Sequence, residues 1–380
     1  MRWLNLVFLV GLAWLTPSPV AAQSFFPSWQ LLSPRDTPAA QIDGCMTAGP
    51  AGGAYFVSGL APTADGTYES PHELWEFADR GWRKIADGTP KCHCGGAAYD
   101  PIDGVLLVMW FNDADEPTEY LWDGASWHEH VLPDVALKGP PRLTWDSEAT
   151  TFVMYGPSGG SPECVDGPDD LFNTWRRTDD GWTMLDEECS HNAGSLDGVY
   201  FDPVAADIRG VNYSDGLSAW ELADGSWRLL ANYDGLSLDR HDVVCTNTGA
   251  FDPSLRLWAA YSKFHDLDAS DSRTRVTTLA VFDGEWSEVQ AAVHPRAQYA
   301  ASMTGLPQDH GILFYGGYRN PDDTVGDTTY PYETWLLHLR RTETAHGCCA
   351  TTGGAHRLSP PAVLLALLAL VGIRRRRSVR

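Results

Sequence analysis

Five tryptophans, Trp82, Trp127, Trp182, Trp227 and Trp286, each follow a tight polar turn and recur at intervals of 45, 55, 45 and 59 residues. A period of this size fits a unit of four short strands, and units of that kind bury their faces only by packing against one another. Seven residues before each tryptophan stands another large apolar residue: Trp75, Tyr120, Trp175, Trp220 and Leu279. The residues between include Asp-Gly and Asp-Asp turns, so each unit ends in a hairpin of two strands, c and d. Upstream lies a second hairpin, whose first strand, a, closes on an aromatic-Asp turn: Tyr99-Asp100, Trp145-Asp146, Phe201-Asp202 and Phe251-Asp252. An apolar strand, b, follows each turn. Short hairpins throughout leave no room for crossover helices, and the fold class is all-β.

The number of units follows from the two ends. The last unit runs through Tyr299–Gly305, Gly311–Gly317 and Glu333–Leu339 and lacks a d strand, whereas Ser28-Trp29-Gln30-Leu31-Leu32-Ser33 has the d pattern with no strand before it. The strands balance when the Trp29 segment completes the final unit. The expectation is a six-bladed β-propeller of four-stranded blades over residues 23–340, closed by the N-terminal strand so that no sheet edge is left open between the first and last blades. Gly316-Gly317 at the end of a b strand, followed by Trp335, resembles the kelch motif of galactose-oxidase-like propellers; Ser58-Gly59 and Tyr155-Gly156 stand at the same point in other blades. In such a propeller the a–b and c–d turns share one face. The longer b–c loops and blade-to-blade connections share the other, where binding residues concentrate.

The chain has 380 residues with 50 acidic and 27 basic side chains, a formal charge of −23. Arg2 and the six arginines from Arg357 onward lie at the ends, and the part between keeps all 50 acids against 20 basic residues, near −30. Such a charge excludes a nucleic-acid partner, and a hydrophobic share of 43% excludes a disordered chain. Residues 1–22 have a basic start, an apolar run and small residues ending at Ala22, the pattern of a secretory signal. Residues 341–360 form a Cys/Gly/Thr-containing spacer, and residues 361–380 carry a 13-residue apolar run, Pro361 to Ile373, ahead of Arg374–Arg377. Gly347-Cys348-Cys349, the spacer, the short apolar run and the arginines resemble the MYXO-CTERM sorting tail of myxobacterial surface proteins. That resemblance implies processing at Cys348 or Cys349 and display at the cell surface; a weak single-pass anchor is the alternative. Either way the membrane is met only through the tail.

Candidate site residues lie on the loop face. His93, Arg142, His191, His241 and Arg296 precede inner strands, where they could ring the mouth of a central channel around a ligand. Asp266, Asp268 and Asp271 have a spacing able to offer oxygens to calcium, against the alternative of a solvated acidic loop. No other cofactor is expected. The galactose-oxidase resemblance raises a copper-radical site, but the histidines and tyrosines do not match its ligands position by position, and no Gly-x-Ser-x-Gly elbow is present. Away from the tail, six cysteines in an exported chain favour disulfides. Cys164 with Cys189 is the expected pair, Cys45 is a partner for Cys92 or Cys94, and zinc at Cys92-His93-Cys94 is the rival. The function expected is that of a monomeric, surface-displayed module binding a protein or glycan ligand through an acidic loop face. A secreted hydrolase or oxidoreductase with a site at the channel mouth is the alternative.

Overall fold

The computed structural model describes residues 24–39, 41–92, 95–112, 115–135, 137–158, 171–185, 196–212, 216–233, 236–237, 249–266, 275–296, 299–308, 311–318 and 332–342. The chain divides into Phe25–Arg341 and a terminal unit, Met1–Ser24 with Thr342–Arg380. Of that terminal unit only Ser24 and Thr342 are described, so the signal segment, the spacer and the tail with Cys348 and Cys349 lie outside the described residues.

Phe25–Arg341 is built from six antiparallel blades of four principal strands, in the order a-b-c-d from the centre outward. Blade 1 is Cys45–Ala48, Ala54–Val57, Glu73–Ala78 and Gly81–Asp87. Blade 2 is Gly96–Asp100, Val105–Phe111, Pro117–Trp122 and Trp127–Val131. Blade 3 is Arg142–Asp146, Thr151–Ser158, Leu171–Thr178 and Gly181–Met184. Blade 4 is Gly198–Asp202, Asp207–Asn212, Leu217–Ala223 and Ser226–Tyr233. Blade 5 is Gly249–Asp252, Leu257–Asp266, Arg275–Phe282 and Trp286–Val289, with Leu236–Ser237 pairing the far end of its b strand. Blade 6 is Tyr299–Leu306, Gly311–Tyr318 and Thr334–Thr342, and its outer strand is Ser24–Leu32. The six a strands contact one another in sequence and blade 6 returns to blade 1, which closes the ring as the terminal strands predicted.

The core consists of six hydrophobic clusters, one at each blade-to-blade interface. Because neighbouring side chains on a strand point to opposite faces, one strand feeds two clusters. In blade 5, Leu257, Ala259 and Tyr261 face blade 6, while Trp258 and Ala260 face blade 4. Both faces are buried, so these strands read as unbroken apolar runs without polar alternation.

The repeated tryptophans carry polar bonds as well as area. In three blades the d-strand indole donates to the preceding blade's c strand: Trp82 to Thr334 at 3.0 Å, Trp182 to Glu119 at 3.1 Å and Trp227 to Thr174 at 3.0 Å. The c-strand indoles Trp75, Trp220 and Trp335 each donate to the side chain two residues earlier, Glu73, Ser218 and Glu333. The aromatic-Asp turns also repeat. Oδ1 of Asp100, Asp146, Asp202 and Asp252 accepts backbone N–H groups two and three residues on, satisfying donors that the a–b reversal would leave unpaired.

Trp29 packs edge-on against Tyr261, Phe314 and Trp335, with ring centroids 5.2, 5.8 and 6.5 Å away. Trp29→Ala empties the contact that closes blade 6, and urea unfolding should show a loss of about 3–5 kcal/mol. A loss below about 1 kcal/mol, the range of ordinary surface substitutions, would mean that this strand is peripheral.

Candidate site at the loop-face mouth of the channel

A central cavity of about 700 Å³ runs between the six a strands. Its wall includes small residues such as Gly96, Ala98, Gly198 and Ala250, which let strand backbone approach the lumen. Pro101, Pro203 and Pro253 line it towards the a–b turns, whereas Arg142 and Asp197 line it at the loop-face end.

The connection into blade 1 is held by several hydrogen bonds. The Tyr315 hydroxyl donates to the carbonyls of Pro38 and Ala39 at 2.6 and 3.0 Å. The Gln41 carbonyl accepts Gly317 N–H at 2.8 Å, its side-chain oxygen accepts Gly59 N–H at 2.7 Å, and Ile42 bridges Leu60 in both directions at 2.9 Å. The Ser302 hydroxyl donates to the Gly44 carbonyl at 2.6 Å. Gly316 and Gly317 have φ of 74° and 83°, and a Cβ on Gly316 would stand 2.7 Å from the Gln41 carbonyl oxygen. The glycine doublet is therefore required for this segment to lie across blade 6. Cys45 is joined to Cys92 across a Cα separation of 5.7 Å, tying blade 1 to the approach of blade 2. This bond selects Cys92 over Cys94 and uses the thiolate that a Cys92 zinc site needs.

The segment holds Asp43 at φ 58°, a left-handed conformation that Asp tolerates better than most residues. Asp43 is 7% exposed. Burial pushes its pKa up to about 7, against the opposing pull of the Arg142 charge. Asp197, also 7% exposed, lies beside the same mouth just ahead of the blade 4 a strand. Arg142 and Asp197 thus line the channel, and the buried Asp43 carboxyl is close enough to feel the Arg142 charge, an arrangement suited to orienting a polar or charged small ligand. A strongly perturbed acid near a cation that lines a cavity also has the character of a functional site.

Of the residues read from the sequence as a ring, Arg142 lines the channel. Arg296 is exposed, and its guanidinium is 3.1 Å from Glu333 in its own blade. His93, His191 and His241 lie outside the described residues, as do Cys94, Cys164, Cys189, Asp268 and Asp271. Asp266 ends the blade 5 b strand, where it pairs with Leu236. Asp43 and Asp197 were missed because acids were sought in the b–c loops. The signal that could have found them is an Asp directly before a Gly at the start of an inner strand, Asp43-Gly44 and Asp197-Gly198. Asp123, Ser126 and His128 also gather on the blade 2 c–d turn. There Nε2 of His128 meets both Asp123, at 2.8 Å, and Ser126, at 3.2 Å, so the imidazole cannot relay a proton between them. Among the described residues no group of three or more His, Cys, Asp or Glu side chains is placed to hold a metal ion.

Two outcomes follow from this geometry. Replacing both Cys45 and Cys92 by Ala opens a 47-residue loop and should lower stability by roughly 4 kcal/mol in denaturant titrations. An acid whose pKa is higher folded than unfolded binds the proton more tightly when folded. The contribution of Asp43 is therefore complete below its ordinary value of 3.8 and is lost as pH rises towards about 7. Asp43→Asn should remove up to about 1.4 kcal/mol per pH unit from the slope of stability across that interval. Identical slopes in the two proteins would show that Asp43 does not titrate there.

No protein-family model matches the chain, and no curated protein matches it. Solved structures of similar shape include YjhT, with 12% identity, a TM-score of 0.49 and coverage of 81% of this chain and 99% of that one. The SapL1 lectin in complex with alpha methyl fucoside has 13% identity, a TM-score of 0.46 and coverage of 77% and 97%. The gluconolactonase XC5397 from Xanthomonas campestris has 14% identity, a TM-score of 0.41 and coverage of 80% and 99%.

Proposed function

We propose that this protein is a kelch-like, surface-displayed binding propeller that takes a small polar ligand, free or at the tip of a protein or glycan, into the loop-face mouth of its channel. The observation that carries this reading is the Asp43 segment, held by backbone bonds, whose buried carboxyl feels the charge of Arg142 in the channel wall, a costly arrangement for a mere spacer. Display follows from the MYXO-CTERM-like tail and the signal segment, with the tail as the membrane contact and a monomer as the unit. Arg142 would orient an anionic or carbonyl oxygen, while Asp43 and Asp197 would accept hydrogen bonds from the same ligand.

The alternative, a hydrolase, is favoured by one specific observation: a carboxyl titrating near neutral pH is suited to proton transfer. It predicts turnover of lactone or glycoside substrates that is lost in Asp43→Asn.

A thermal-shift screen with amino acids, sugar acids, small amines and short peptides tests the binding reading. At least one class should raise Tm with concentration, as a ligand selective for the folded state must, and Arg142→Ala should abolish that rise. If no class shifts Tm, or if every shift survives Arg142→Ala, the channel mouth is not the binding site.

A further inference from the structure

A second cavity, of about 400 Å³, lies on the loop-face shoulder between blades 1 and 2. Its size is within the range of small-molecule sites, about 300–1,000 Å³. The lining includes Trp110 and Tyr120 together with His72, Lys91, Asn112 and Glu129. Neither aromatic is fully buried, although Trp110 directly follows Leu106–Met109, four residues with no exposure at all. Trp110 is thus the first residue after that run to regain partial exposure, and it does so at the edge of the cavity.

The surroundings hold these groups in place. Gly95 backs the indole, and a Cβ there would stand 3.2 Å from Cε3 of Trp110 and 2.6 Å from the Met109 carbonyl oxygen. Asn112 closes its loop by accepting Glu116 N–H and donating to the Glu116 carboxylate, both at 3.0 Å. His72 sits at φ 55°, with Nδ1 2.8 Å from the Thr89 carbonyl oxygen. A carbonyl partner requires the proton on Nδ1, so Nε2 is the acceptor nitrogen of the neutral ring. Lys91 adjoins Cys92, whose disulfide and backbone bond to Ser58 fix the rim.

We infer that the cleft formed by Trp110, Tyr120, His72, Lys91 and Glu129 is a saccharide site that stacks a neutral pyranose on its aromatic walls. The negative face of an aromatic ring attracts the weakly positive C–H face of a sugar. The hydroxyls of a sugar need both acceptors and donors, which His72, Glu129 and Lys91 supply. The rim charges are of opposite sign and both exposed, so Lys91 disfavours a cation and Glu129 disfavours an anion. An uncharged ligand rich in hydroxyls is repelled by neither charge and can bond to both. This site requires nothing from Asp43 or Arg142.

The test is saturation-transfer NMR on the full-length chain with the methyl glycosides of glucose, galactose, mannose, fucose and N-acetylglucosamine, with choline as a cationic control. At least one pyranoside should bind, and Trp110→Ala should weaken it roughly 10-fold or more through lost stacking and contact area. Ile102→Ala, at an exposed turn on the opposite face, should leave binding unchanged. Should Trp110→Ala fail to fold, Lys91→Ala and Glu129→Ala alter only exposed side chains, and each should weaken binding by at least about 3-fold through a lost hydrogen bond. The inference is overturned if no pyranoside binds, if choline binds in their place, or if folded variants at these positions bind as well as the parent protein.

Discussion

Every blade of this protein buries both of its faces, and the rest of the structure depends on that condition. A sheet with one wet face could end the array anywhere. Here Trp258 and Ala260 pack on blade 4 while Leu257, Ala259 and Tyr261 of the same strand pack on blade 6, so each blade needs two neighbours. Only a closed ring gives each of six blades two neighbours, and the ring closes where Trp29, from the start of the chain, enters the aromatic cluster of blades 5 and 6. The hydrophobic effect drives the packing, but the register that lets the ends meet is set by strand pairing.

Polar groups then fix how the blades sit on one another. A buried indole N–H without a partner would cost about 1–3 kcal/mol, and three d-strand tryptophans avoid that cost by donating across the interface to Thr334, Glu119 or Thr174. Glu119, 3% exposed, also receives both Nε and Nη2 of Arg177 from blade 3. Asp202 plays a similar part between blades 4 and 5, accepting two backbone N–H groups within its own turn and meeting Arg256 of the next blade at 2.9 Å. These bonds are directional where apolar contact is not, so they limit sliding between blades. The resulting rigidity reaches the channel mouth, where groups from blade 6, blade 1 and the disulfide hold the Asp43 segment in one conformation.

Much of the fold was legible in the sequence because it is encoded by local pattern. The tryptophan period, the aromatic-Asp turns and the unmatched strands at the two ends gave the blade count and its closure, and the first of the six non-tail cysteines was matched to the correct segment. The role of the tryptophans was only half legible. Their area was evident, whereas the partners Thr174 and Thr334, each directly before a spaced aromatic, have no meaning until adjacent blades are docked. The site was less legible still. Arg142 stood out as a cation at a strand start, yet Asp43 looked like an ordinary turn acid until burial and a neighbouring charge gave it a different chemistry.

The sequence by itself determined the repeat of four strands, the turns that join them, and that the first strand must complete the last blade, since these follow from short-range pattern and turn chemistry. Only the tertiary structure decided that Asp43 meets Arg142, 99 residues away, at the channel mouth, and that His72 and Trp110 share a cleft with Glu129. The physical reason is that convergence at the ring centre and between blades depends on the angle and register at which whole sheets pack. Those quantities are summed over many contacts and are not written at any one position of the chain.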